Sequence, residues 1–289
     1  MARPDFLIIG AMKCGTTTLQ AQLAAQPGVF MTTPKEPNFF SDDAVWARGM
    51  GWYQGLFAAA PPGALTGEAS THYTKLPTHP ATLARLRPVL PAPKIIYLIR
   101  NPVARAVSHY IHEWSQGVMS EAIETEFDRH PEMVSYGLYG MQIAPWVEAF
   151  GPGRVFLSSL EVMNRDPQAF LERVGRFLDL PGPLVWQAER AQMNASAERI
   201  RRLPLHGLLV DNPVATALRR ALVPRALRAR IRESRQMTAR PGLTPALKAR
   251  LEAAFAADHA RLVALFPDNP DIAPAYPFLQ AAPAGPGPR

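Results

Sequence analysis

The chain has 289 residues, 47% of them hydrophobic and 19% charged, which is enough for a sizeable core in a single α/β domain. Lys and Arg number 31 against 24 Asp and Glu, a formal charge of +7 that favours anionic ligands without choosing among nucleotide, sulfated glycan and nucleic acid. Cys14 is the only cysteine, which excludes an intrachain disulfide, and no apolar run reaches the roughly eighteen residues of a membrane-spanning helix. The first apolar segment begins almost at once, leaving no room for a signal peptide, so the expected location is cytoplasmic.

Phe6 to Ile9 is a short apolar run of the kind a parallel strand shows when both faces are covered, and Gly10 ends it. Gly15, Thr16, Thr17 and Thr18 then open a segment with Leu19, Leu23 and Ala24 at helical spacing, so a helix N-terminus aims its free N–H groups back into the turn. That geometry predicts a phosphate-type anion site. The spacing is close to the nucleotide-binding pattern GxxxxGK followed by Ser or Thr, but Thr16 stands at the lysine position and the lysine, Lys13, lies inside the loop. Gln26-Pro27-Gly28 closes the helix, and Val29 to Met31 reads as a short strand. Thr32 to Asp43 reads as a loop across the mouth of the site; its bland interpretation is a solvated Lys35–Glu36 pair with Phe39 and Phe40 plugging the core, but the phosphate loop just upstream favours a carboxylate with a role there, offset by Lys35 and Lys13.

Trp52, Tyr53, Leu56 and Phe57 repeat at helical spacing as a core-facing stripe. Leu65 to Glu68 is a short strand whose Glu68 serves either the site or the structure, His72 and Tyr73 follow in a loop, and Pro77 to Pro88 is expected to be a helix. Lys94 to Ile99 is the second clear buried strand. It ends in Arg100-Asn101-Pro102, where a nucleoside triphosphatase would carry an aspartate for magnesium, so two separate phosphates fit better than a metal-bound triphosphate. In the helix from Pro102, Arg105 is expected to face solvent. Glu121 to Pro131 is expected to be an exposed acidic segment, Tyr136 to Phe150 a helix bent near Pro145, and Arg154 to Ser158 a further parallel strand. Asp166-Pro167 marks the start of a helix over Gln168 to Leu178. Pro181 to Ala191 reads as a linker, Leu208 to Arg232 as a basic amphipathic helix, Thr244-Pro245 as the cap of a helix reaching Leu265, and the stretch from Ile272 as a loose tail. The strand–helix alternation defines an α/β, P-loop-like, doubly wound parallel sheet flanked by helices. We place a single domain over 1–271, helical and basic from about 190, and a tail over 272–289.

Lys13 to Thr18, KCGTTT, resembles the 5′-phosphosulfate loop of sulfotransferases, and Ile95 to Tyr110, IIYLIRNPVARAVSHY, resembles their 3′-phosphate motif. Lys35 to Phe40, KEPNFF, is similar to the segment that carries the catalytic glutamate in the heparan-sulfate type of the family, with Gly51-Trp52-Tyr53 and Gly67-Glu68-Ala69-Ser70 as further landmarks. The resemblance runs from about Asp5 to about Leu180 and returns near Leu243 to Leu265. It implies 3′-phosphoadenosine 5′-phosphosulfate as donor, held by Lys13, Cys14, Gly15, Thr16, Thr17 and Thr18 at one end and by Arg100 and Ser108 at the other. Arg240 is implied as a further cation for the 3′-phosphate. Glu36 and Lys13 become the catalytic residues, no metal is required, and the acceptor is a hydroxyl, less readily an amine, of a carbohydrate or lipid-linked molecule. The animal glycan enzymes carry a lysine after the glutamate that corresponds to Glu68, and this chain has Ala69. Nucleic acid is not an expected partner, and the basic helices offer a peripheral membrane contact. The competing readings are a P-loop kinase or nucleoside triphosphatase, and a nucleotide-binding module without turnover.

Overall fold

The buried aliphatic runs form one parallel sheet in the computed structural model, which describes residues 3–191, 237 and 240–280. In chain order the elements are β1 (Phe6–Gly10), α1 (Thr16–Ala24), β2 (Val29–Met31), α2 (Asp43–Trp46), α3 (Gly49–Gly55), β3 (Leu65–Ala69), α4 (Thr82–Leu86), β4 (Lys94–Ile99) and α5 (Pro102–Gln116). There follow α6 (Ile123–Arg129), α7 (Glu132–Ser135), α8 (Tyr139–Phe150), β5 (Val155–Ser159), α9 (Leu160–Arg165), α10 (Pro167–Leu178), α11 (Ala188–Ala191), α12 (Pro245–Leu265) and α13 (Pro277–Gln280). The strand order is β2-β3-β1-β4-β5, every pair parallel, so β1 lies at the centre with β3 and β4 beside it. Phe6 to Ile9 and Ile95 to Ile99 are fully buried, as strands covered on both faces must be.

Helix α12 starts where Thr244 accepts the N–H of Leu247, and it packs on α8 and α5. The approach to α8 is close: a Cβ on Gly140 would lie 2.8 Å from the Asp258 carbonyl oxygen, so only glycine fits there. Asp258 in return accepts the N–H groups of Gly140 and Met141 and caps α8.

Several expectations change. The helix expected over Pro77 to Pro88 is only Thr82–Leu86, because Pro77 and Pro80 cannot donate to a helical ladder. His72 and Tyr73 lie in a 3-10 turn, Thr71–Thr74. The acidic stretch after Glu121 is the amphipathic α6, with Ile123 and Phe127 in the core and Glu126 accepting the N–H groups of Ser120 and Glu121. The linker expected at Pro181 to Ala191 is stitched to α1. Gln22 exchanges two hydrogen bonds with the backbone of Gln187, and Gln26 exchanges two with that of Val185. Ile272, Ala275 and Tyr276 are buried, so the core continues past the expected start of the tail. The basic helix expected over Leu208 to Arg232 lies outside the described residues.

Candidate active site

Gly15 is the N-cap of α1 at φ +87°, and a Cβ there would meet Leu160 and Met163 at 2.8 Å, so both backbone and space demand glycine. No side chain caps this end and no acidic residue occupies the first turn, which leaves the N–H groups of Thr16, Thr17 and Thr18 as donors for an anion. Lys13, at φ +67°, shapes the turn before it. Cys14 points the other way. Its buried Sγ lies 3.5 Å from the Tyr139 hydroxyl, and burial pushes the thiol up to about 11, so Cys14 serves the loop from beneath and not as a contact for a ligand.

The end of β4 is fastened to this loop. Arg100 donates through Nη1 to the Lys13 carbonyl at 3.1 Å, its N–H reaches the Tyr139 hydroxyl at 3.4 Å, and its Nε is buried with no partner among the described residues. Asn101 caps α5 by accepting the Ala104 N–H, and its own N–H donates to Glu161. Ser108 sits half-buried about two turns along α5. Arg240 donates to the Ala104 carbonyl at 3.2 Å, which brings it against the first turn of that helix. Arg105, expected in solvent, is fully buried instead: the apolar face of α5 turns toward α7, and Nη2 bonds to the Met133 carbonyl.

Glu36 is held at the neighbouring strand end. Its N–H donates to the Ala69 carbonyl at 2.9 Å and the Asn38 N–H to Ser70 Oγ at 3.1 Å, which fix the loop after β2 to the end of β3. Glu36 and Asn38 take positive φ, +56° and +54°, a conformation that is uncommon for residues other than glycine and often found where a site dictates the backbone. Phe39 and Phe40, both fully buried, anchor the loop against Tyr53. Lys35 Nζ lies 2.5 Å from Glu36 Oε1, and Thr71 donates to Oε2 at 3.0 Å. Burial raises the pKa of Glu36, but Lys35, Thr71 and Lys75 together outweigh it, and the carboxyl ends below its usual range.

Glu68 is a structural hub. It is fully buried and accepts hydrogen bonds from Tyr53, from Tyr73 at 2.6 Å and from Ser70 at 2.7 Å, while burial holds its pKa above the usual range against those three donors. His72 stacks on His79, and burial, then Lys75, brings its pKa down to about 4. Reading the sequence missed Lys75 and Tyr139, since neither falls in a motif, and it misplaced Arg105, which lies inside the Ile95 to Tyr110 motif, on the solvent face. Burial lowers Lys75 to about 8, Glu36 opposes that shift, and Nζ stands 5.5 Å over the Tyr136 ring.

The strand order sets the glutamate loop at the end of β3, the anion loop at the end of β1 and Arg100 at the end of β4, three adjacent carboxyl ends of an open α/β sheet, where such sheets bind ligands. Fold and site thus define a P-loop-like protein that pairs an anion cradle with a flanking carboxylate. Residues 3–204 match the family model described as the sulfotransferase domain, and the chain belongs to that family. It is 30% identical over 186 residues to heparan sulfate glucosamine 3-O-sulfotransferase 3B1 of Mus musculus, covering 61% of this chain and 46% of the relative. To heparan sulfate glucosamine 3-O-sulfotransferase 6 of Mus musculus it is 31% identical over 185 residues, with 61% and 52% covered. The chain therefore matches about half the length of these curated relatives. Among solved structures, a sulfotransferase from Alicyclobacillus acidocaldarius aligns with a TM-score of 0.68 at 25% identity, over 93% of this chain and 98% of the other. Mouse sulfotransferase SULT7A1 complexed with PAP aligns with a TM-score of 0.52 at 17% identity, over 89% and 84%, and shares the fold.

Proposed function

We propose that this sulfotransferase uses 3′-phosphoadenosine 5′-phosphosulfate and modifies a hydroxyl of a carbohydrate or lipid-linked acceptor, with Glu36 as the general base. The observation that carries the reading is the placing of the glutamate loop, the anion loop and Arg100 on three neighbouring strand ends, β3, β1 and β4. The cradle suits the donor's two phosphates: first-turn N–H groups without a cap suit one, and Arg100, whose buried Nε has no partner among the described residues, suits the other. The donor supplies the sulfuryl group and leaves as adenosine 3′,5′-bisphosphate. Lys13 and the Thr16 to Thr18 backbone neutralise charge at the 5′ end, while Arg100, Ser108 and Arg240 hold the 3′ end.

Glu36 takes the acceptor's proton at the carboxylate that Thr71 and Lys35 orient. Its lowered pKa keeps it ionised at neutral pH. The cation that the animal glycan enzymes place after their glutamate is lacking at Ala69, and Lys35 and Lys75 supply positive charge around Glu36 in its stead. The 3-O-sulfotransferase relatives, named for heparan sulfate, support a carbohydrate acceptor. Titration of adenosine 3′,5′-bisphosphate into the parent, Lys13→Ala and Arg100→Ala tests the donor site. We expect each variant to bind at least tenfold more weakly, and parental affinity in both folded variants removes the assignment.

A further inference from the structure

Arg105 is a guanidinium sealed in the interior with little to balance it. It is fully buried, and among the described residues the guanidinium's only hydrogen bond runs from Nη2 to the Met133 carbonyl, with no partner there for Nε and Nη1. Room for it is made at Gly137, where a Cβ would come within 3.1 Å of Nε and 2.8 Å of the Phe255 ring. Among the described acidic side chains nearby, none bonds to Arg105: Glu161 accepts the Asn101 N–H through Oε1 and keeps Oε2 buried without a partner, Glu113 pairs with His109, and Asp258 caps α8.

The groups that act most on the charge of Arg105, after burial itself, are Tyr139, Cys14, Tyr97 and Arg100. None is a carboxylate, and one is a second cation. Arg105 follows the end of β4 by one turn of α5, its backbone N–H donating to the Asn101 carbonyl at 2.8 Å, and since Cys14 belongs to the anion loop and Arg100 to that strand end, the buried charge adjoins both halves of the phosphate cradle. Its influence also reaches Lys75, which acts on Glu36, and His109 one turn farther along α5. A charge in a medium that polarises poorly acts over a longer distance than one in water and is little screened by salt.

We infer that Arg105 is a positioning residue for the anionic donor: it sets the field at the loop and at Arg100 without touching the ligand, and its burial is offset only when the ligand's phosphates arrive. The inference rests on the reading of loop and Arg100 as a phosphate site. A cation kept for structure and a cation kept for the ligand respond differently to removal. Replacing a buried charge that lacks a counter-charge by an apolar side chain of similar length is often neutral or stabilising for the free protein, whereas losing a structural cation is not.

Arg105→Met and Arg105→Lys are to be compared with the parent by thermal unfolding without ligand and by calorimetric titration of adenosine 3′,5′-bisphosphate. Arg105→Met should unfold at the parental temperature or above it and bind about tenfold more weakly, and Arg105→Lys, which keeps the charge, should recover most of the affinity. Arg105→Gln serves as a second neutral variant should Met perturb packing at Gly137. Binding by a neutral variant within twofold of the parent overturns the inference, as does a Lys variant as weak as Met, or the failure of both neutral variants to fold. A parent that does not bind the bisphosphate overturns the phosphate-site reading and this inference with it. A parent that binds, alongside a Met variant that binds equally well, overturns the inference alone.

Discussion

Glu36 and Glu68 stand close together at the end of β3, and their surroundings give them opposite characters. Glu36 lies in the loop after β2 with a side chain 28% exposed, a lysine on one oxygen and a threonine hydroxyl on the other, and its pKa is lowered. Glu68 is fully buried among hydroxyl donors with no cation bonded to it, and its pKa is raised. Cations and access to solvent keep a carboxylate ionised and reachable by a substrate, whereas hydroxyls in a dry interior make it a knot that ties strand, loop and 3-10 turn together. The difference suits the proposed proton removal by the first and the holding of the Glu36 loop by the second.

The largest effect that would sharpen this contrast is on turnover. Glu36→Gln keeps the shape and should lower the transfer rate by about 10²–10⁴-fold, with bisphosphate affinity unchanged in a titration. Parental turnover would remove Glu36 from the mechanism. Glu68→Ala should act on stability instead, by about 3 kcal/mol in denaturant unfolding, because Tyr53, Tyr73 and Ser70 would lose a shared acceptor in the interior. A stable Glu68→Ala protein without activity would reverse the two roles.

The pH dependence of stability should differ in sign between the two. Glu68, with its pKa above the ordinary 4.5, contributes fully below that value and loses its contribution as pH rises through the shifted one. Glu36, with its pKa below 4.5, contributes fully above that value and loses its contribution as pH falls through the shifted one. Difference curves of unfolding free energy against pH for Glu68→Gln and Glu36→Gln check this by opposite slopes.

Lys75 sets a smaller effect. Charged below about pH 8 and neutral above it, it should give the pH profile of kcat/KM an alkaline limb there, which Lys75→Met abolishes together with about tenfold of the neutral-pH rate. Thr71→Val should cost least, a few-fold in rate, through one hydrogen bond to Glu36 of about 1 kcal/mol, measured at saturating donor.

The parts of this protein that were legible in its sequence are those written in contiguous residues. The apolar run Phe6 to Ile9, the glycine at 15 and the threonines after it specify a strand, a turn and an open helix end through local backbone chemistry alone, and the structure has them where they were expected, with Gly15 left-handed in the turn. The same holds for the strand that leads into Arg100 and the Asn101-Pro102 helix start. Tertiary structure decided the rest, because it depends on which side chains meet across long separations. Arg105 could be given a face of its helix only once α7 supplied the Met133 carbonyl and Gly137 left space. Tyr139 joins Cys14 to Arg100 because α8 is pinned by Asp258 of a distant helix. Lys75 acts on Glu36 because the loop after β2 is bound to the end of β3, and Glu68 is a structural hub because Tyr53 and Tyr73 close over it in the core. A sequence motif specifies backbone that makes its own hydrogen bonds, while the state of a charge is set by what the whole fold packs around it.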